Sequence, residues 1–282
     1  MLHRWSTLAQ RRQFGNGLSL SQSLPVQDPG PFLLVPLVVR GDLLVTHAGP
    51  PRRYFPLPKI LVLSESVVVG VAGEDPQGAL GTVMHHWEQR PHAAALRQAL
   101  LDDRADRREY LIAQSDRQLF TLHGSAEAWT EHPHGYAWIG SDESRAAVRP
   151  FQSLDWPEVP GLERVIEESW ALIRGQPAFA GASSEVGGIA VSAYLQGGRF
   201  RFAQPVTIGT APPRIRTQGD LFAALMEDAP PFSHHIHHDG EYPGRLRICI
   251  GSEAAVTYTP TVDGYAGRAY LSAANELAVE DC

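Results

Sequence analysis

The strand signals of this sequence arrive in adjacent pairs, and that pairing constrains the fold more than any other feature. Residues 28–49, DPGPFLLVPLVVRGDLLVTHAG, read as two short strands meeting at a Gly-containing turn between Val39 and Leu43. KILVLSES and VVVGVAG then give strand signals over 59–64 and 66–72. EYLIAQSD, RQLFTLHG and GYAWIG give three more, and GGIAVSAYL with GRFRFAQ reads as a hairpin across Gln196-Gly197-Gly198. Such short connections join antiparallel neighbours, because parallel strands need a long crossover. Helical periodicity fills the gaps. In EDPQGALGTVMHHWEQ, Ala79, Leu80, Val83, Met84 and Trp87 recur at helical spacing, and Asp75-Pro76 is a helix start. Further helices are predicted over 92–104, 142–151 and 161–174, the last with Leu162, Val165, Ile166, Trp170 and Ile173 on one face. The order is strands, two helices, strands, two helices, strands, which two sheets between helical layers would satisfy.

Composition narrows the function classes. The chain has 282 residues, 43% of them hydrophobic, enough for one large domain or a domain with an appendage. A net charge of −7 argues against nucleic acid as the main partner. The two cysteines, Cys249 and Cys282, cannot make a disulfide framework, which fits a reducing cytoplasm. The first residues, MLHRWSTLAQRRQF, lack the apolar core of a signal peptide, and no run is apolar and long enough to span a membrane. Of 24 basic residues only Lys59 is lysine, and lysine, unlike arginine, can give up its proton.

Character changes along the chain divide it into a leader at 1–31, a core at 32–206 and a smaller α/β extension at 207–282. The extension starts at Pro-rich TAPPRIRTQ, continues into a short helix, DLFAALMED, and ends in two or three strands. Between helix and strands lies FSHHIHHDGEYPG, residues 232–244. Pro230-Pro231 before it and Asp239-Gly240 after it predict a loop. His234, His235, His237 and His238 are its candidate ligands for zinc or nickel, with Asp239 and Glu241 nearby. His234 and His238 would share a face of a helix; His235 and His237 would share a face of an extended chain. Cys249, within RLRICIG, reads as a buried, inert thiol.

The colinear set of segments over 32–206 resembles a proteasome β-type or HslV-like subunit, with the N-terminal nucleophile hydrolase fold. PFLLVPLVVRGDLLVTHAG is similar to the opening hairpin. PKILVLSESVVVGVAGEDPQGAL is similar to the lysine strand, the next strand and the first helix. GYAWIGSDESRAAV is similar to the Gly-Ser turn before the third helix, and VGGIAVSAYLQGGRF to the closing hairpin. The resemblance implies an α+β fold, a four-layer αββα sandwich. Family chemistry uses a threonine, serine or cysteine at a free N-terminus, with its own α-amine as base, a lysine that lowers pKa values and a backbone N–H for the oxyanion. Carried over by position, the lysine matches Lys59, the oxyanion glycine matches Gly73 and the turn serine matches Ser141. The nucleophile position falls at Pro31, and the three further polar positions fall at His47, Ser183 and Val186. Proline offers no nucleophile. The resemblance therefore implies a subunit without peptidase activity, acting as an assembly or interaction module, with self-assembly or a protein partner, no cofactor, and neither nucleic acid nor membrane. Two alternatives stand beside it: a hydrolase activated by leader removal or using an unusual nucleophile, and a metal- or ligand-binding protein built on the histidine cluster.

Overall fold

The computed structural model describes residues 38–41, 44–46, 54–103, 107–133, 137–140, 188–203, 210, 214–227, 232–252 and 254–271. All lie within one compact unit, Val35–Cys282. The expected leader, the expected helices at 142–151 and 161–174, and the positions of Pro31, His47, Ser141, Ser183 and Val186 lie outside the described residues.

The first strand, β1 (Val38–Gly41), precedes a small ribbon of β2 (Leu44–Thr46) and β3 (Tyr54–Pro56). Then β4 (Ile60–Ser64) and β5 (Val67–Gly73) form a hairpin. Their inventory, ILVLS and VVVGVAG, is β-branched and buried through most of its length, as a strand covered on both faces requires. Next come the helices α1 (Pro76–Gln89) and α2 (Ala93–Asp102). Asp75 caps α1, its carboxylate accepting the Gly78 N–H at 3.0 Å, and Pro76 occupies the first turn. Strands β6 (Arg108–Gln114), β7 (Leu119–His123) and β8 (Thr130–Glu131) complete an antiparallel five-stranded sheet in the order β4-β5-β6-β7-β8.

The chain returns with β9 (Val191–Gln196) and β10 (Arg199–Phe202), joined through Gly197 and Gly198. Both glycines have positive φ, 57° and 79°, which a two-residue hairpin turn demands. Strand β9 pairs with β1, Arg40 opposite Ser192, so the first described strand closes onto a hairpin some 150 residues later. This three-stranded sheet, β1-β9-β10, packs on β4 and β5. The mixed, mostly strand content with antiparallel sheets agrees with the α+β expectation.

After the short helix α3 (Gln218–Leu225), capped by a reciprocal Thr217–Asp220 box, the C-terminal part forms four strands: β11 (His234–Asp239), β12 (Arg245–Ile250), β13 (Ala254–Thr261) and β14 (Gly264–Leu271). They make an antiparallel sheet in sequence order. One face of this sheet belongs to the core: Ile236, Leu246, Ile248, Ile250, Val256 and Tyr258 are all buried there. Helix α1 lies against β5 on one side and against β13 and β14 on another. Gly81 of α1 allows that approach, since a Cβ there would sit 2.8 Å from the Val262 carbonyl.

The same sheet closes an open edge. Strand β4 pairs only with β5, so its outer carbonyls need partners. Gly244 donates its N–H to the Val62 carbonyl at 3.2 Å, and the buried Tyr265 hydroxyl donates to Ile60 at 2.8 Å. Nearby, Tyr258 donates its hydroxyl to Pro56 of β3 at 3.2 Å, and Phe200 of β10 donates its N–H to Glu65 in the β4–β5 turn at 2.8 Å. The C-terminal segment is thus built into the unit that holds the central sheet.

Candidate functional site

Two regions carry the chemistry-bearing residues. The first is the end of the β4–β5 hairpin. Lys59 precedes β4, half-buried, and its carbonyl accepts the Val71 N–H at 2.9 Å. Gly73 closes β5 at the same end, so the structure brings these two predicted positions together. Gly73 has φ 95°, and a Cβ on it would stand 1.9 Å from the Arg107 carbonyl. The next residue, Glu74, donates its N–H to that carbonyl at 3.0 Å. Ion pairs brace the turn: Arg107 with Glu74, and Arg108 with Asp75 at 2.7 Å. This glycine therefore has a backbone duty, the sharp passage from β5 into α1.

The element opposite Lys59 is β1. Gly41, the last residue of that strand, lies so close that a Cβ on it would meet Lys59 Cβ at 3.7 Å and Ile60 Cγ1 at 3.1 Å. A cavity of about 440 Å³ lies at the opposite, turn end of the hairpin, lined by Ser66, Trp87, His92 and Tyr242 among others, and neither Lys59 nor Gly73 lines it.

The second region is the C-terminal sheet. Residues 234–239, expected in a loop, form strand β11, paired along its full length with β12. Alternation then separates the four histidines onto two faces. His234 and His238 point to the core side. His234 is buried, edge-on to Phe232. His238 stacks on Phe202, packs on Tyr242 and covers Gly244, where a Cβ would meet its ring at 1.7 Å. Both ring nitrogens of His238 are buried and find no hydrogen-bond partner among the described residues. Burial, followed by the charge of Arg201, pushes its pKa down from the ordinary 6.5.

His235 and His237 share the outer face. Their rings stack, with centroids 5.5 Å apart and planes 18° apart. Cys249 sits directly across from His235 in the β11–β12 register. It is half-buried on this outer face, not sealed in the core as expected. One ligating atom from each of His235, His237 and Cys249 lies within 4.8 Å of the others. Burial, then neighbouring His235 and Arg247, lowers the pKa of His237, so its neutral, ligating form prevails at pH 7. The four-histidine cluster thus resolves into one pair plus a thiol that sequence reasoning set aside. The only available signal was register, which needs the length of the turn between the two strands.

Comparison with known proteins supplies no family: no family model matches the sequence, and no curated protein is significantly similar to it.

Proposed function

We propose that residues 32–206 form a catalytically silent core of the proteasome-subunit type, working as an assembly or interaction module. One observation carries this reading: β1 closes onto the late β9–β10 hairpin, while the strands between them build a separate five-stranded sheet against which that hairpin packs. Two stacked sheets, with α1 and α2 inserted between β5 and β6, are what the resemblance calls for. The silence has its own support. Lys59 borders the end of β1, where Gly41 offers no side chain, and Gly73 is committed to a tight turn. The finer four-layer sandwich and a protein partner belong to the same proposal.

The test is native mass of the expressed protein together with intact mass and peptide hydrolysis. A full-length chain of 30.9 kDa in a discrete oligomer or hetero-complex, with no hydrolysis that responds to Lys59→Ala, is the expected result. A shortened chain exposing a new N-terminal residue, with Lys59-dependent turnover, would overturn the silent reading. A monomer that captures no partner would overturn the assembly reading.

A further inference from the structure

We propose that the outer face of β11 and β12 is a site for a single borderline-soft divalent ion, zinc above all, held by His235, His237 and Cys249 with a fourth position left for an exchangeable ligand. The inference is independent of the assembly reading.

The argument begins with spacing. A tetrahedral zinc ion with two imidazole nitrogens and one thiolate has ligand atoms roughly 3.3–3.6 Å apart, from bond lengths of about 2.0–2.3 Å. The three ligating atoms already lie within 4.8 Å of one another, so rotamer adjustment alone closes the remaining gap. The backbone fixes their directions. His235 and His237 are alternate residues of one strand, and Cys249 is the cross-strand partner of His235. The register is held along the whole pairing, from His234 opposite Ile250 to Asp239 opposite Arg245. Preorganisation on a sheet reduces the ordering cost that a loop site would carry.

Ligand chemistry chooses the ion. A thiolate with two imidazoles disfavours magnesium and calcium, which take oxygen donors. Three protein ligands with one vacancy are the pattern of an exchangeable site, whereas structural zinc sites are closed by four. Charge then bears on the fourth ligand. Zinc with one thiolate is a net cation, and Arg247 stands opposite His237 on the same face, with Arg268 two strands further along that rung. Asp239 is the one carboxylate two positions along β11, and it pairs with Arg245 at 3.6 Å. An anion, hydroxide or carboxylate, therefore fits the vacancy better than a neutral donor. The buried Thr257 hydroxyl, in register with Arg247, has no hydrogen-bond partner among the described residues and adds a polar group beside it.

The test uses the full chain, stripped with chelator and titrated with cobalt(II), then zinc. One ion per chain should bind, with the visible bands of tetrahedral cobalt and a sulfur-to-cobalt charge-transfer band. Zinc should displace cobalt, and added azide should shift the visible bands by entering the fourth position. Cys249→Ser should abolish the charge-transfer band. His235→Gln should weaken binding by about tenfold or more, because disturbing even an outer-shell partner costs that much. Misfolding of a variant could mimic these losses, so a wild-type readout accompanies them. Stoichiometric zinc should slow alkylation of Cys249 by about tenfold or more and leave Cys282 unchanged, because a coordinated thiolate is no longer a free nucleophile. Absence of saturable binding to the wild-type chain, a cobalt spectrum indifferent to Cys249→Ser, or unprotected Cys249 would each overturn the site.

Discussion

The hairpin end at Lys59 and Gly73 and the outer face at His235, His237 and Cys249 teach opposite lessons about the same kind of clue. At the hairpin end, residues singled out for chemistry have backbone work. Lys59 supplies a ladder carbonyl beside Gly41, and Gly73 turns the chain where no Cβ fits. On the C-terminal sheet, residues that look like a solvated loop are placed by strand alternation so that three donors converge. A lone lysine or glycine gains a role only from what faces it, while a strand register makes neighbours of residues far apart in sequence.

The contrast can be broken most forcefully at Gly73. Gly73→Ala should destabilise by more than about 3 kcal/mol, since it combines positive φ with a backbone clash. Denaturant unfolding measures this, and a loss below about 1 kcal/mol would detach Gly73 from its structural duty. On the other region, zinc at about 100 times its dissociation constant should stabilise the fold by about 2.7 kcal/mol, read as a rise in Tm that Cys249→Ser removes. Tyr265→Phe should cost about 1–2 kcal/mol by leaving the Ile60 carbonyl without its donor, with metal binding unchanged. His238→Phe should stabilise by up to about 1 kcal/mol, because it replaces two orphaned ring nitrogens with an apolar edge.

That last variant also reports on pH. Burial holds His132, His234, His237 and His238 below the ordinary value of 6.5. The unfolded chain takes up these protons near 6.5, and the folded chain resists until lower pH. Stability from the four groups is therefore complete above 6.5 and is lost as pH falls below it. Unfolding midpoints measured from pH 7.5 down to 5 should decline in the wild type and decline less steeply in His238→Phe.

Much of the fold is legible where local chemistry and packing agree. Asp75-Pro76 and the spacing from Ala79 to Trp87 specify α1 because the cap and the buried face are both in the sequence. Gly197-Gly198 specifies the β9–β10 hairpin through its backbone freedom. The described part of GYAWIG, residues 137–140, is not a strand, and the reason is tertiary. Over 137–140 no ladder forms; the Glu109 carboxylate accepts the Gly140 N–H at 2.7 Å in place of a strand neighbour, while Ile139 packs on the core. Strand β11 is hidden for another reason. Period-two alternation shows only when the two faces carry different residue types, and HHIHH puts histidine on both. The core accepts His234 and His238 because an uncharged imidazole packs like an aromatic ring. Cys249 could not be paired with His235 from sequence because the intervening turn, through Glu241 to Gly244, leaves the register open.

The closure of β4 by the last strands also sets a timetable for synthesis. Ile60 waits for Tyr265, which is 205 residues downstream. At about 5–20 residues per second, a ribosome leaves that edge without its cap for roughly 10–40 seconds. During that interval the nascent chain presents a β-branched edge strand able to pair with a neighbouring copy. Messages densely loaded with ribosomes would bring such edges together, so the yield of folded protein should depend on translation rate and on chaperones that hold the edge apart.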